Sequence, residues 1–368
     1  MKILHLQLEA YERYSKKRKL SERLLICSYK FFRFSFILNL REIFMKIFIQ
    51  NSLSTFLLLI LLFLLLCNTT FSQEPSGKYT IVIHGGAGSI DPNLDESKKE
   101  AYLKSLTEAL NIGKEILEKG GKSLDAVEQV VRFFEDDSLF NAGRGAVFTS
   151  EGKNELDASI MDGRDLSSGG VAGVTIIKNP ISLARLVMEK TPHVLFAGNG
   201  ADELGKKLGA EIVDPSYFFT YERYNELKKK YRNVKGTVGC VAIDQFGNIA
   251  AGTSTGGRTD KMPGRVGDSP LINCGTYANN KTCGVSATGV GELFIKNTAC
   301  YQISALMEFK GYTLKQAAEE VIFQILPKDS GGIIAIDKDY NYQLLFNTSS
   351  MLRGVANSDG MFDVKIWK

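Results

Sequence analysis

"NVKGTVGCVAID", residues 233–244, decides how the rest of the chain is read. A charged stretch, "YERYNELKKKYR" (221–232), runs into Gly236, and Thr237 then opens a run of small and β-branched residues that predicts a strand. A threonine hydroxyl inside a chain is a poor nucleophile, because no base stands beside it. At a chain terminus it carries its own base, since an α-amine has a pKa of about 8 and is partly unprotonated at neutral pH. That chemistry requires the bond before Thr237 to be cut. Gly236 suits such a cut, because glycine tolerates the strained backbone that attack on its carbonyl demands. On these two residues alone the plainer reading is a β-branched residue starting a strand after a glycine turn. What decides between them is the company downstream.

"TSTGGRTDKMPGRVGDSPLI" (253–272) places Thr253, Thr255, Arg265 and Asp268 on one glycine-rich loop system, and "SATGVGE" (286–292) adds Thr288, Gly289 and Gly291. A guanidinium binds a carboxylate through paired hydrogen bonds, and a carboxylate binds an ammonium. Arg265 and Asp268 are therefore suited to the two charges of an α-amino acid head group, whereas taken alone they would read as a surface ion pair. Glycines beside a threonine let backbone N–H groups point at a developing oxyanion. Together these residues describe an amidase for a zwitterionic substrate.

Other chemistries are poorly supplied. Beyond residue 72 the only histidines are His84 and His193, without HExxH-type spacing. No GxSxG elbow is present. The glycine clusters at 84–88 and 252–265 match neither GxxxxGK[ST] nor GxGxxG, which argues against nucleotide binding.

The chain has 368 residues, 44% apolar and 23% charged, in the range of globular proteins. Residues 56–66, "FLLLILLFLLL", follow Lys46 and precede small and polar residues. This run falls short of the ~20 residues of a membrane span and has the layout of a secretory signal peptide, with cleavage expected after Ser72; a retained signal anchor is the alternative. Met45 begins this signal, so residues 1–44 are expected to be a non-native extension and 45–72 the signal peptide. The implied destination is periplasmic or secreted, with no stable membrane association after cleavage. Removing the eleven basic and four acidic residues upstream of Gln73 leaves 34 basic and 37 acidic, near −3, so nothing suggests nucleic-acid binding. Cys240, Cys274, Cys283 and Cys300 match no zinc spacing and read as small buried hydrophobes.

Along the exported part, 78–88 reads as a strand entering a glycine turn. Leu103, Leu106, Leu110, Gly113 and Leu117, then Leu124, Val127, Val131 and Phe134, keep helical steps, with Ser123 as N-cap of the second helix. A glycine-rich turn into a short strand is expected at 139–152, then strands at 154–163 and 169–178 and helices at about 180–190 and 200–208. Residues 214–236 read as a linker, either partly helical or mobile. Strands are expected from Thr237 and Asn248 and at 282–291, helices near 292–309 and 313–325, and a closing hairpin of 331–339 and 341–349. Strands heading each half with helices between them favour a layered α/β arrangement around a mixed sheet.

With these motifs the chain resembles the plant-type L-asparaginase/isoaspartyl peptidase family of the N-terminal nucleophile hydrolases. The resemblance runs from about Thr80 to Phe346. It is carried by "IVIHGGAG" (81–88), "FNAGRGAVFT" (140–149), "ELDASIMDG" (155–163), "TPHVLFAGNGAD" (191–202), "DPSYFFT" (214–220), "GTVGCVAID" (236–244), the 253–272 loop and "TGVGE" (288–292). It implies a four-layer αββα sandwich, made as one chain and split between Gly236 and Thr237 into an α piece (73–236) and a β piece (237–368).

The resemblance also implies roles. Thr237 is nucleophile and base, and Thr255 tunes it. Arg265 and Asp268 clamp the substrate's α-carboxylate and α-amine. Thr288 and Gly289 form the oxyanion hole, Gly291 lies in the binding loop and Asn141 faces the nucleophile. A structural sodium ion on the backbone oxygens of Phe134, Glu135, Asp137, Phe140, Ala142 and Arg144 is implied, with no cofactor for catalysis, as is a homodimer of αβ units. The implied substrates are L-asparagine and β-aspartyl dipeptides. Glycosylasparaginase is the neighbouring alternative, although "KGTVG" here stands where that branch carries Asp before the threonine. An amino-acid-binding protein that kept the clamp without catalysis is the alternative of another class.

Overall fold

Val238, Cys240 and Ala242 of strand β5 (Val238–Ile243) pack into one apolar cluster, and Val241 and Ile243 into a second on the opposite side. Alternation of side chains along a strand produces this split, and it makes β5 an interior strand covered on both faces. Burying its valine and isoleucine side chains is worth about 1.5–3 kcal/mol each. Thr237 thus stands at the entrance to a strand that cannot shift register without moving two cores.

The computed structural model describes residues 76–88, 90–229 and 236–368. The expected extension, the signal peptide with its apolar run, and the end of the charged segment (230–235) lie outside the described residues. Residues Glu74–Lys368 belong to one unit. Among the described residues no helix is long and apolar enough to cross a membrane.

The larger sheet takes in β1 (Thr80–Gly88), β2 (Leu156–Asp162), β3 (Ser168–Val174), β4 (Leu195–Ala197), β5, β6 (Ile249–Thr255), β11 (Ser350–Asn357) and β12 (Phe362–Trp367), in the order β12–β11–β1–β5–β6–β2–β3–β4. Its pairings are antiparallel except for β3 with β4. The smaller sheet runs β10 (Tyr342–Phe346), β9 (Gly331–Asp337), β8 (Cys283–Gly289), β7 (Thr276–Ala278). Helices α1 (Glu96–Glu118), α2 (Ser123–Asp136) and α3 (Pro180–Lys190) cover the outer face of the larger sheet. Further along come α4 (Gly198–Leu208), α5 (Tyr221–Lys228) and α6 (Gly291–Asn297); α7 (Ala299–Lys310) and α8 (Leu314–Glu319) cover the smaller sheet. The two sheets face each other across the second cluster, giving helix–sheet–sheet–helix layers, the αββα sandwich that the sequence suggests.

Several local expectations are corrected. The glycine-rich turn is a 3₁₀ turn (Gly143–Gly145), and the short strand expected after it is extended chain with a single bridge at Thr149. Ser123 is the first residue of α2 rather than its cap, and its N–H donates to Asp244 Oδ2 (3.1 Å). The strand expected to reach residue 178 ends at Val174. Residues 214–229 hold a 3₁₀ turn (Pro215–Phe218) and α5, each started by a side-chain cap, Asp214 and Thr220. The helix expected over 292–309 breaks at Thr298, which adopts left-handed φ, and the one over 313–325 ends in a π-helical turn. Finally, 331–349 does not close the chain: β11 and β12 follow and pair at the edge next to β1. The four cysteines are buried free thiols, as read.

Candidate active site

The seam between Gly236 and Thr237 is wrapped in short neutral hydrogen bonds. Thr237 is 6% exposed, and its hydroxyl donates to Thr255 Oγ1 (3.2 Å) at the end of β6. Thr255 Oγ1 in turn donates to the Gly236 carbonyl (3.0 Å) and accepts from the Gly257 N–H (3.0 Å). Asn141 Nδ2 donates to the same Gly236 carbonyl (2.8 Å) and to the Gly257 carbonyl (2.7 Å), while its Oδ1 accepts from the Val147 N–H (3.0 Å). Every polar atom of the Asn141 amide is therefore used, which holds its N–H groups toward the seam. The Gly236 carbonyl accepts two hydrogen bonds, one from a loop before the seam and one from a strand after it.

The far side of Thr237 is held by His84, which the sequence does not mark as a site residue. His84 is fully buried on β1, with Nδ1 2.9 Å from the Thr237 carbonyl and Nε2 2.9 Å from Ser286 Oγ. Because that carbonyl only accepts, Nδ1 carries the proton and Nε2 accepts from Ser286. Burial pushes the His84 pKa down to about 3 against the hydrogen bond to Thr237, so the ring is neutral. A Cβ on Gly239, the residue opposite His84 on β5, would fall 2.1 Å from Ser286 Oγ and 2.4 Å from His84 Nε2; only glycine leaves room for the contact. Behind Ser286 the hydroxyls of Thr253 (2.7 Å), Thr276 (2.6 Å further) and Ser159 (2.8 Å further) continue a polar seam between the sheets. With Ser286 they are scattered over four strands, and no linear motif announces them.

Thr288 lies two residues beyond Ser286 on β8, so both side chains leave the same face. Its buried Oγ1 accepts from the Ala87 N–H of the "HGGAG" segment (3.0 Å). Gly289 follows at the end of β8, paired with Gly331. Gly291 opens α6 beside the clamp: a Cβ there would lie 2.6 Å from Asp268 Oδ1 and 3.0 Å from Arg265 Nη2. Arg265, Asp268 and Gly291 are thus brought to one spot.

Arg265 and Asp268 are not an exposed surface pair. Arg265 Nε and Nη2 both donate to Glu292 Oε1 (3.0 and 2.9 Å), whereas Asp268 is buried with Oδ2 lacking a hydrogen-bond partner. Burial pushes the Asp268 pKa up to about 7; Glu292 and Asp157 push the same way, and its own backbone N–H and Arg265 oppose. A buried carboxylate oxygen without a partner is costly, and a cation beside it would offset that cost. Lys261 lies beneath, its amine donating to the Glu155 carbonyl (2.7 Å), and burial lowers its pKa. Neither Glu292 nor Lys261 figured as a site residue in the sequence reading, although both lie within its motifs.

The expected sodium loop curls around the 143–145 turn. A Cβ on Gly143 would fall 2.2 Å from the Glu135 carbonyl, and one on Gly145 2.0 Å from that of Phe140 and 2.6 Å from that of Ser138. Hard carbonyl oxygens crowding one turn fit an alkali ion. Glu135 and Phe140 belong to the expected set and Ser138 does not. The Ala142 and Asp137 carbonyls accept backbone hydrogen bonds from Gly145 (3.0 Å) and Phe140 (3.4 Å). Phe134 contributes a buried side chain to the core, and the Arg144 guanidinium lies over the Tyr217 ring. Among the described residues no cluster of His, Cys, Asp or Glu is arranged for a metal.

The αββα sandwich is the fold of the N-terminal nucleophile hydrolase class, and here a threonine held from both sides stands at the mouth of a buried strand. Within that class the chain belongs to the asparaginase family, whose pattern it matches over residues 77–366. The match extends past Phe346, the end of the resemblance carried by the motifs, and takes in β11 and β12. The isoaspartyl peptidase of Escherichia coli (strain K12) is 46% identical over 296 residues, covering 75% of this chain and 92% of that protein. The isoaspartyl peptidase of Salmonella typhimurium is 45% identical over 295 residues, covering 75% and 94%. The isoaspartyl peptidase/L-asparaginase of Mus musculus is 40% identical over 283 residues, covering 74% and 86%.

Proposed function

We propose that this chain is an exported, self-processing amidohydrolase that cleaves the side-chain amide of L-asparagine and the β-peptide bond of isoaspartyl dipeptides through Thr237. The observation that carries this reading is the doubly hydrogen-bonded Gly236 carbonyl with the Thr237 hydroxyl on the same Thr255 oxygen. Attack of Thr237 Oγ1 on that carbonyl carbon forms a C–O bond. Asn141 and Thr255 stabilise the oxyanion, the C–N bond breaks, and the hydroxyl proton ends on the departing nitrogen. Water then hydrolyses the ester, leaving a carboxylate on Gly236 and a free amine on Thr237.

In turnover the freed amine takes the Thr237 hydroxyl proton as the oxygen attacks the β-carbonyl of the substrate. Thr288 and Gly289 face the oxyanion. Arg265 receives the α-carboxylate and Asp268 the α-ammonium, which sets the β-carbonyl toward Thr237. Ammonia or an amine leaves, and water releases aspartate from the β-aspartyl ester. The relatives' names, isoaspartyl peptidase and L-asparaginase, support this substrate class. The signal-like segment at 45–72 supports export, and the carbonyls around 143–145 support a structural sodium ion. A homodimer of αβ units is part of the same reading. Mass spectrometry of purified protein is expected to find two fragments meeting at 236/237, with Thr237→Ala intact and inactive; an active preparation containing only the unsplit chain would refute the scheme.

A further inference from the structure

Arg265 meets its substrate with half of its guanidinium already committed. A single oxygen of Glu292 accepts from both Nε and Nη2, leaving the second hydrogen of Nη2 and both of Nη1, which lies against Gly257 and Gly267. Glu292 is held in the first turn of α6, directly after the glycine that admits Asp268 and Arg265 to the same spot. Its Oε2 is shielded from solvent without a hydrogen-bond partner, 3.7 Å from Arg258 Nη1. Burial opposes its ionisation, but its own backbone N–H, Arg265 and Arg258 outweigh burial and keep the carboxyl below its ordinary value.

We infer that Glu292 is a positioning and specificity-determining residue: it fixes the orientation of Arg265 and, through its charge, restricts the site to carboxylates that bring an α-ammonium. This rests on the reading of Arg265 and Asp268 as the head-group clamp. Glu292 and Asp268 flank the guanidinium with two carboxylates, and Glu155 and Asp157 lie beside Lys261 beneath them. A ligand carboxylate therefore enters a region already rich in negative charge. A zwitterion offsets that repulsion through its ammonium; an anion of the same shape without the amine does not.

The test compares ammonia release from L-asparagine and from succinamate, which is asparagine without its α-amine, in processed wild-type, Glu292→Gln and Glu292→Asp enzymes. Glu292→Gln is expected to raise KM for asparagine about tenfold, the scale of a charge-assisted hydrogen bond, with kcat changed less than about threefold. It is also expected to lower the asparagine-to-succinamate ratio of kcat/KM about tenfold. Glu292→Asp keeps the charge and should hold that ratio within about threefold of wild type while raising KM. An unchanged ratio in Glu292→Gln, or an equal fall in Glu292→Asp, overturns the proposal. So does failure of Glu292→Gln to mature, because the residue would then serve folding. A wild-type enzyme indifferent to the α-amine would instead sink the clamp reading itself.

Discussion

The two halves of the site are built from opposite materials. Around the Gly236–Thr237 seam the working groups are hydroxyls, amides and a neutral imidazole, and each of the contacts described is a hydrogen bond of 2.7–3.2 Å. Around Arg265 they are buried or half-buried charges, and two of them, Asp268 and Glu292, are carboxylates with an oxygen that accepts no hydrogen bond. A neutral network holds geometry and is nearly indifferent to pH and salt. A charged pocket recognises a ligand strongly but is sensitive to protonation. Under the proposed function the division matches the work: the seam places one oxygen against one carbon, whereas the clamp tells a zwitterion from its neighbours.

The largest effect should come from breaking the neutral half. Asn141→Ala removes one of two donors to the Gly236 carbonyl and is expected to slow self-cleavage about 10²–10³-fold, read as the half-life of the intact chain on a gel. Unchanged cleavage would remove Asn141 from the mechanism.

On the charged side, Asp268→Asn takes away the proposed partner of the substrate ammonium. A loss of about a hundredfold in kcat/KM for asparagine is expected, with splitting at residue 236 retained.

A pH series sharpens the contrast. Asp268 must be ionised to hold an ammonium, and its folded pKa is pushed up to about 7, so kcat/KM should fall as pH drops through 7. Self-cleavage should vary much less between pH 5.5 and 7.5, because His84 beside the seam stays neutral down to about 3. Parallel pH profiles for the two reactions would erase the distinction.

The smallest effect concerns Glu135, whose side chain ties α2 to the strand bearing Thr255. Its Oε1 accepts from Ser254 Oγ (2.6 Å) and the Ile181 N–H (3.0 Å), and burial raises its pKa to about 8. A carboxyl raised this way is fully tolerated below its unfolded value near 4.5, and its contribution is lost as pH rises through about 8. Glu135→Gln should therefore raise the melting temperature by a few degrees at pH 8 and by less at pH 5, checked by thermal unfolding at both.

What could be read from the sequence follows from how local each signal is. Thr237, Arg265 and Asp268 stand out because the chemistry demands their side-chain types and glycines mark the loops around them. Glu292 sits in a quoted motif, yet its partner is 27 residues earlier, and nothing in "GVGE" says which cation it meets. His84 and the hydroxyls of Ser159, Thr253, Thr276 and Ser286 become a unit only when two sheets stack. The layered fold was legible because β5 and its neighbours are apolar on both faces. β11 and β12 were not, because an edge strand such as "FDVKIW" mixes exposed and charged positions with its apolar ones. The break at Thr298 left no trace either, since a β-branched residue is the last a sequence pattern would place in left-handed φ.

Strand order carries a consequence for denaturation. Segments from before and after position 236 alternate across the larger sheet, with β1 between β11 and β5 and β2 against β6. Severing the chain at that position leaves two polypeptides woven through one fabric, neither able to complete its ladder alone. Once melted they drift apart as separate molecules. Renaturation of the cut protein then becomes second order and fails on dilution, whereas an uncut chain recovers at a rate independent of concentration.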